Sequence, residues 1–199
     1  MKTLCKMCWV MVIAAFVAGS ACAQRGPMGG GMGMAPPEFR GTLNPVVGSG
    51  AVYQVETRGM KNELEITVVG KEDAAGKPGY WLQMGMNAPQ AGGQMYMKFL
   101  LVVDGKNASA TRMIMQMAGQ QPMEMPMQGM MGNMQQSNST DVRDTAEHVG
   151  AEPLTTPAGT FSTEHYRAKD GSWDAWLAPQ VAPWGVVKST TKDATMIVT

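Results

Sequence analysis

The stretch Tyr96-Met97-Lys98-Phe99-Leu100-Leu101-Val102-Val103-Asp104-Gly105-Lys106-Asn107-Ala108-Ser109-Ala110-Thr111-Arg112-Met113-Ile114-Met115-Gln116-Met117 is two extended segments around one tight turn. Tyr96 to Val103 is strongly apolar and rich in aromatic and β-branched residues, the types that fill a pleated, buried surface. It ends at Asp104-Gly105, and Asp-Gly favours a tight hairpin because glycine accepts positive φ without steric cost. On the return, Met113, Met115 and Met117 recur at every second position, so on a strand they share one face, opposite Arg112, Ile114 and Gln116. The stretch therefore predicts an antiparallel hairpin.

The same reading extends in both directions. Ala51 to Thr57 and Leu64 to Val69 alternate apolar and polar residues, the mark of half-buried strands. Tyr80 to Met86 puts Tyr80, Leu82, Met84 and Met86 on one face after the turn signal Gly76-Lys77-Pro78-Gly79. Later strands are predicted at Thr160 to Ala168, Trp173 to Ala178, Gly185 to Thr191 and Thr195 to Thr199. About nine short strands at this spacing argue for an all-β antiparallel meander, either a sandwich or an open barrel. The alternation fails between Ala118 and Val149. Residues 118–138 form a Met, Gln, Gly and Pro insert, and Ser139 to Val149, with Asp141, Asp144 and Glu147, could hold a helical turn. A loop of that length within a compact domain is expected to be functional or unstructured.

The N-terminus carries targeting chemistry. Lys2 and Lys6 precede an apolar run from Met7 to Val17, followed by small residues ending in the A-x-A site Ala21-Cys22-Ala23. This is the order of a secretory signal peptide, and the run is too short to span a bilayer. Residues 1–23 are therefore expected to be a signal peptide, residues 24–45 a flexible Gly, Pro and Met lead, and residues 46–199 the β domain. The expected location is periplasmic or secreted. Ser20-Ala21-Cys22 partly resembles a bacterial lipobox, which makes lipidation at Cys22, and with it an outer-membrane lipoprotein, the alternative.

All three cysteines lie within the first 22 residues, so a chain cut after Ala23 has none, which excludes disulfides and thiolate chemistry. The complete sequence balances 16 basic against 16 acidic residues. Without net charge or basic clusters it shows no footprint for nucleic acid.

Thr156-Pro157-Ala158-Gly159-Thr160-Phe161, then Trp173-Asp174-Ala175-Trp176-Leu177-Ala178, then Val181-Ala182-Pro183-Trp184-Gly185-Val186-Val187-Lys188 resemble the C-terminal half of a group of exported bacterial proteins of mostly unknown function. That group is similar to the lipoprotein-carrier (LolA/LolB-like) open barrels. The resemblance covers roughly Thr155 to Lys188, and the N-terminal strands fit it by pattern. It implies a curved antiparallel sheet forming an open β-barrel, with an apolar inner surface that accommodates acyl chains in the carriers. It brings no catalytic residues. This chain departs from the carriers in having no evident long helix to plug the barrel and in carrying the methionine-rich insert. In the matched segment, Pro157 and Gly159 suit the start of an edge strand at Thr160.

The candidate ligand-binding residues are Trp173, Trp176, Trp184, Phe99 and Met115. Trp173, Ala175 and Leu177 would share one strand face and Trp176 the other, so the segment is either packed twice or lines a ligand. Met113, Met115 and Met117 are expected to pack on an inner face.

Of the 21 methionines, nine fall between Met113 and Met134. In Pro122 to Met134 the prolines and glycines interrupt both strand and helix periods, which leaves Met123, Met125, Met127, Met130, Met131 and Met134 without a regular face. Thioethers are soft ligands that select Cu(I), so these six are the candidate metal residues for Cu(I) or Ag(I). The tract resembles methionine-rich tracts of periplasmic copper-handling proteins. Low-complexity drift, or an adaptable apolar lid over a barrel mouth, would produce the same composition.

His148 and His165 follow Glu147 and Glu164, but adjacent strand residues point to opposite faces, so Glu164 and His165 should not converge on a metal. Asn107-Ala108-Ser109 and Asn138-Ser139-Thr140 match the glycosylation sequon, a match expected to be chance if the chain is a bacterial export product, as the resemblance implies. There is no G-x-S-x-G and no phosphate-binding glycine loop. The expectation is a nonenzymatic, exported cell-envelope protein that binds an apolar or lipid-like small molecule and has no cofactor. Cu(I) or Ag(I) binding through the insert is the alternative.

Overall fold

The structure, a computed structural model, describes residues 41–74, 76–88, 93–105, 107–125 and 141–199. The expected signal peptide, residues 24–40 of the lead, residues 126–138 of the insert and residues 139–140 lie outside them, as do Cys22, Met127, Met130, Met131, Met134 and the Asn138 sequon. The described residues are nearly all β. In order it forms β1 (Gly50–Thr57), β2 (Met60–Ala74), β3 (Lys77–Ala88), β4 (Gly93–Asp104), β5 (Asn107–Met117) and β6 (Met123–Met125). After these come α1 (Val142–Thr145), β7 (Ala146–Thr156), β8 (Gly159–Ala168), β9 (Trp173–Leu177), β10 (Val186–Thr191) and β11 (Ala194–Val198).

All eleven strands belong to one antiparallel sheet of order β6-β5-β4-β3-β2-β1-β11-β10-β9-β8-β7. It consists of two sequential meanders, β1 to β6 and β7 to β11, joined where β1 pairs with β11. The sheet is open, with β6 and β7 as its edges. The opening hairpin forms as expected: Asp104 pairs with Asn107, and Gly105 takes a φ of 61°.

Two strands lie where none was expected. β6 is three residues long in a tract rich in Pro and Gly, too short to show a period. β7 follows α1 directly and contains a bulge between His148 and Gly150 as well as Pro153. An edge strand tolerates both, since its outer N–H groups have no partner to lose. The segment Thr156 to Thr160 is consequently a hairpin turn from β7 to β8, not the free start of an edge strand, and Thr156 pairs with Gly159, whose φ is 130°. The helical turn appears as α1, capped by Asp141, which accepts from the Arg143 N–H at 3.0 Å.

Alternation sorts the side chains to two faces. Tyr53, Leu64, Ile66, Leu82, Met84, Phe99, Met113, Ala175, Leu177 and Val198 belong to one buried apolar cluster on the inner face. Tyr53 is fully buried, and its hydroxyl reaches across β11 to donate to the Val186 carbonyl on β10 at 3.0 Å. Burial pushes this phenol above the ordinary tyrosine range. The β9–β10 connection adds Val181, Pro183 and Trp184 to the interior. Gly41 to Asn44 runs alongside it: Thr42 N–H donates to the Trp184 carbonyl at 2.9 Å and Asn44 N–H to the Pro183 carbonyl at 2.7 Å.

Candidate functional site

The methionines supply the most distinctive surface. The register places Met86, Met95 and Met117 in one row across β3, β4 and β5. The next row is Met84, Met97, Met115 and Met123, running on into β6, and the third is Leu82, Phe99, Met113 and Met125. Nine methionines, with Leu82 and Phe99, therefore share the inner face of four neighbouring strands. Because strands lie about 4.8 Å apart and opposed side chains nearly touch, these rows form one continuous thioether surface. Its exposure is graded. Met84, Met95, Met113 and Phe99 are buried, Met86, Met97, Met115, Met117 and Met125 are half-buried, and Met123 is 57% exposed.

The structure brings some of the sequence-predicted ligand residues together and separates others. Phe99 and Met115 sit within this surface. Trp173 is buried on the inner face of β9 at 7% exposure, and Trp184 is buried in the β9–β10 connection at 8%. Trp176 lies on the opposite face, as its alternation with Trp173 and Ala175 requires. Of the candidate metal residues, Met123 and Met125 occupy β6 and do have a regular face, contrary to the reading that prolines leave them none. Sequence reasoning left Met95 and Met97 unremarked and did not join the strands into one surface. The available signal was Met-x-Met repeated in four successive segments, at Met84, Met95, Met113 and Met123.

The outer face holds two polar clusters built on tryptophan. On β8 and β9, His165 stacks on Trp176 with ring centroids 4.3 Å apart and planes 16° from parallel. Its Nε2 meets Asp174 Oδ1 at 2.6 Å, and its Nδ1 lies 3.5 Å from Glu152 Oε1. Trp176 Nε1 donates to Glu152 at 2.5 Å, Arg167 Nε donates to Asp174 at 2.8 Å, and the Lys188 ammonium lies 4.8 Å from the Trp176 ring centroid. Partial burial alone would raise the Asp174 pKa. The hydrogen bonds from His165 and Arg167, with their charges, outweigh that and hold the carboxyl below the ordinary aspartate range. The hydroxyl beside this group, Thr163 Oγ1, donates to the Glu152 carbonyl at 2.7 Å.

The second cluster ties β2, β3, β5 and β6. Trp81 Nε1 donates to Glu72 at 2.8 Å, and Arg112 lies 5.2 Å from the Trp81 ring centroid. Arg112 bonds Glu72 through Nη1 at 3.1 Å and Glu124 through Nε at 2.8 Å and Nη2 at 3.3 Å.

His148 lies on the inner face with Glu164, at 2.6 Å, whereas His165 is on the outer face with Asp174, so the two histidines do not converge. Among the described residues no three His, Cys, Asp or Glu side chains are arranged to hold a metal ion. A cleft of about 550 Å³ is lined by Gly48, Ala51, Val52, Thr67, Phe161 and Val181 among others, and none of the sequence-predicted ligand residues lines it.

No family model and no curated protein matches this sequence. Two solved structures are similar to it. One is a candidate lipoprotein from Parabacteroides distasonis, with a TM-score of 0.39 and 14% identity over 80% of this chain and 97% of that one. The other is a candidate exported protein with a YmcC-like fold from Bacteroides fragilis, with a TM-score of 0.37 and 14% identity over 79% and 97% of the two chains.

Proposed function

We propose that the protein is an exported, nonenzymatic binding protein of the cell envelope, whose inner sheet face takes an apolar or lipid-like small molecule. The observation that carries this reading is the surface of Met86, Met97, Met115 and Met117 beside Phe99, apolar but only partly covered, on a sheet that stays open. Methionine suits such a role because its unbranched, polarizable side chain adapts to irregular apolar partners. The signal-like N-terminus and the resemblance of Thr155 to Lys188 to a group of exported proteins that is itself similar to the lipoprotein-carrier barrels support the same reading.

Native mass spectrometry of the purified protein, with a titration of N-phenyl-1-naphthylamine, tests it. The expected result is co-purified lipid or saturable fluorescence enhancement, weakened about tenfold by Met115→Gln, since a polar group placed in an apolar contact costs on the order of 1–2 kcal/mol. Absence of both lipid and saturable probe binding would overturn the reading.

A further inference from the structure

Two Met-x-Met motifs face each other at the β6 edge in antiparallel register, with Met113 opposite Met125 and Met115 opposite Met123. Opposed side chains on paired strands have Cβ atoms about 4.5–5.5 Å apart, and residues two apart on one strand are separated by about 7 Å. The four thioethers thus stand at the corners of a small rectangle, each on three rotatable bonds that let the sulfur swing inward. Met113 forms the floor at 6% exposure, Met115 and Met125 are half-buried, and Met123, at 57% exposure, opens the group to solvent.

The outer face fixes this arrangement. A three-residue edge strand makes too few ladder bonds to set its own register. Glu124, between Met123 and Met125, instead receives the two-pronged hydrogen bond from Arg112 on β5. That bond holds the Glu124 carboxyl below its ordinary range, by hydrogen bonding first and charge second. Arg112 is itself held by Glu72 and lies against Trp81, so a planar bidentate contact on one face positions the thioethers on the other.

We infer that Met113, Met115, Met123 and Met125 form a binding site for a soft monovalent cation, Cu(I) or Ag(I). Thioether sulfur is a soft donor, and soft donors select Cu(I) over harder ions. Four neutral ligands add no negative charge, so a cation of charge one is desolvated there at far lower cost than a divalent ion. Beyond Cys22 the chain has no thiol to compete, and neither histidine lies on β5 or β6. The site stands on residues on both sides of the predicted insert boundary and does not require Met127 to Met134.

Competition between the purified protein and a chromogenic Cu(I) chelator, under anaerobic reducing conditions, tests the inference, with Ag(I) as a redox-inert second probe. The wild type is expected to withdraw Cu(I) from the chelator. The variant Met123→Leu/Met125→Leu, which keeps side-chain volume and polarity close to native, is expected to bind at least about tenfold more weakly. The variant Met127→Leu/Met130→Leu/Met131→Leu/Met134→Leu is expected to match the wild type. Circular dichroism establishes that each variant is folded, and Met115→Leu provides the same readout if the double variant is not. Failure of the wild type to withdraw Cu(I), equal affinity in the β6 variant, or loss confined to the Met127 to Met134 variant would overturn the inference. No lipid or apolar probe is present, so failure here is separable from failure of the apolar-ligand reading.

Discussion

Asp174 shows how one outer-face side chain organises its surroundings. It accepts from His165 and Arg167, and the residues facing this group also include Glu152 and Lys188. Because the fold holds the Asp174 pKa below its unfolded value, the carboxylate stabilises the native state in full above the ordinary aspartate range, about pH 4. That contribution is lost as pH falls through the depressed value. Asp174→Asn is therefore expected to cost about 1 kcal/mol at pH 7, in line with a charge-assisted hydrogen bond in a partly exposed site. Urea unfolding at pH 7 and pH 3 checks this, and the gap between wild type and variant should shrink at the lower pH. The alternation of Trp173, Asp174, Ala175, Trp176 and Leu177 was readable in the sequence, and with it the separation of Trp176 from the core. The partners were not, since Glu152 and Lys188 come from strands whose register only the folded sheet defines.

At the scale of elements, the strands readable in advance were those with a long alternating or apolar run, as in β4, β5 and β8. β7 was hidden because it buries little: Leu154 is half-buried, Thr156 is buried, and most of the rest is exposed. β6 was hidden because Met-Glu-Met is shorter than any period that could reveal it, and its place is set by a side-chain contact to Arg112 rather than by its own pattern. Methionine recurrence in β3, β4 and β5 was visible strand by strand, yet the continuous surface depends on the register between them. The Arg112 to Glu124 pair makes a prediction at this scale. Glu124→Gln is expected to speed amide hydrogen exchange in Met123 to Met125 and at the β5 edge, because β6 loses its clamp. Global stability should change little, as for an exposed, solvent-screened ion pair. Unchanged exchange in β6 would show that the ladder alone holds it.

Among the described residues the eleven strands form one sheet assembled from two meanders, which meet strand to strand where β1 pairs with β11. A sheet of eleven strands with two free edges invites association with further strands. Both edges are blunted, β6 by its brevity and β7 by its bulge, Pro153 and exposed Glu147 and Glu152. The inner face divides its apolar residues unequally. The aromatic and aliphatic core lies on β1, β2 and β8 to β11, and the thioether surface lies on β3 to β6. Packing alone requires residues of the right size and polarity, and leucine or valine would meet that need. Nine methionines on one face supply adaptability as well, which matters for a surface that receives a partner of variable shape.

The most direct measurement is a methyl NMR titration of protein labelled at the methionine methyl groups, with decanoate as the apolar ligand. Saturable shifts are predicted for Met86, Met97, Met115 and Met117. Met196, buried on β11, and Met60, exposed at the start of β2, should not move. Shifts absent from those four methyls, or no smaller at Met60 and Met196, would contradict binding on the methionine face.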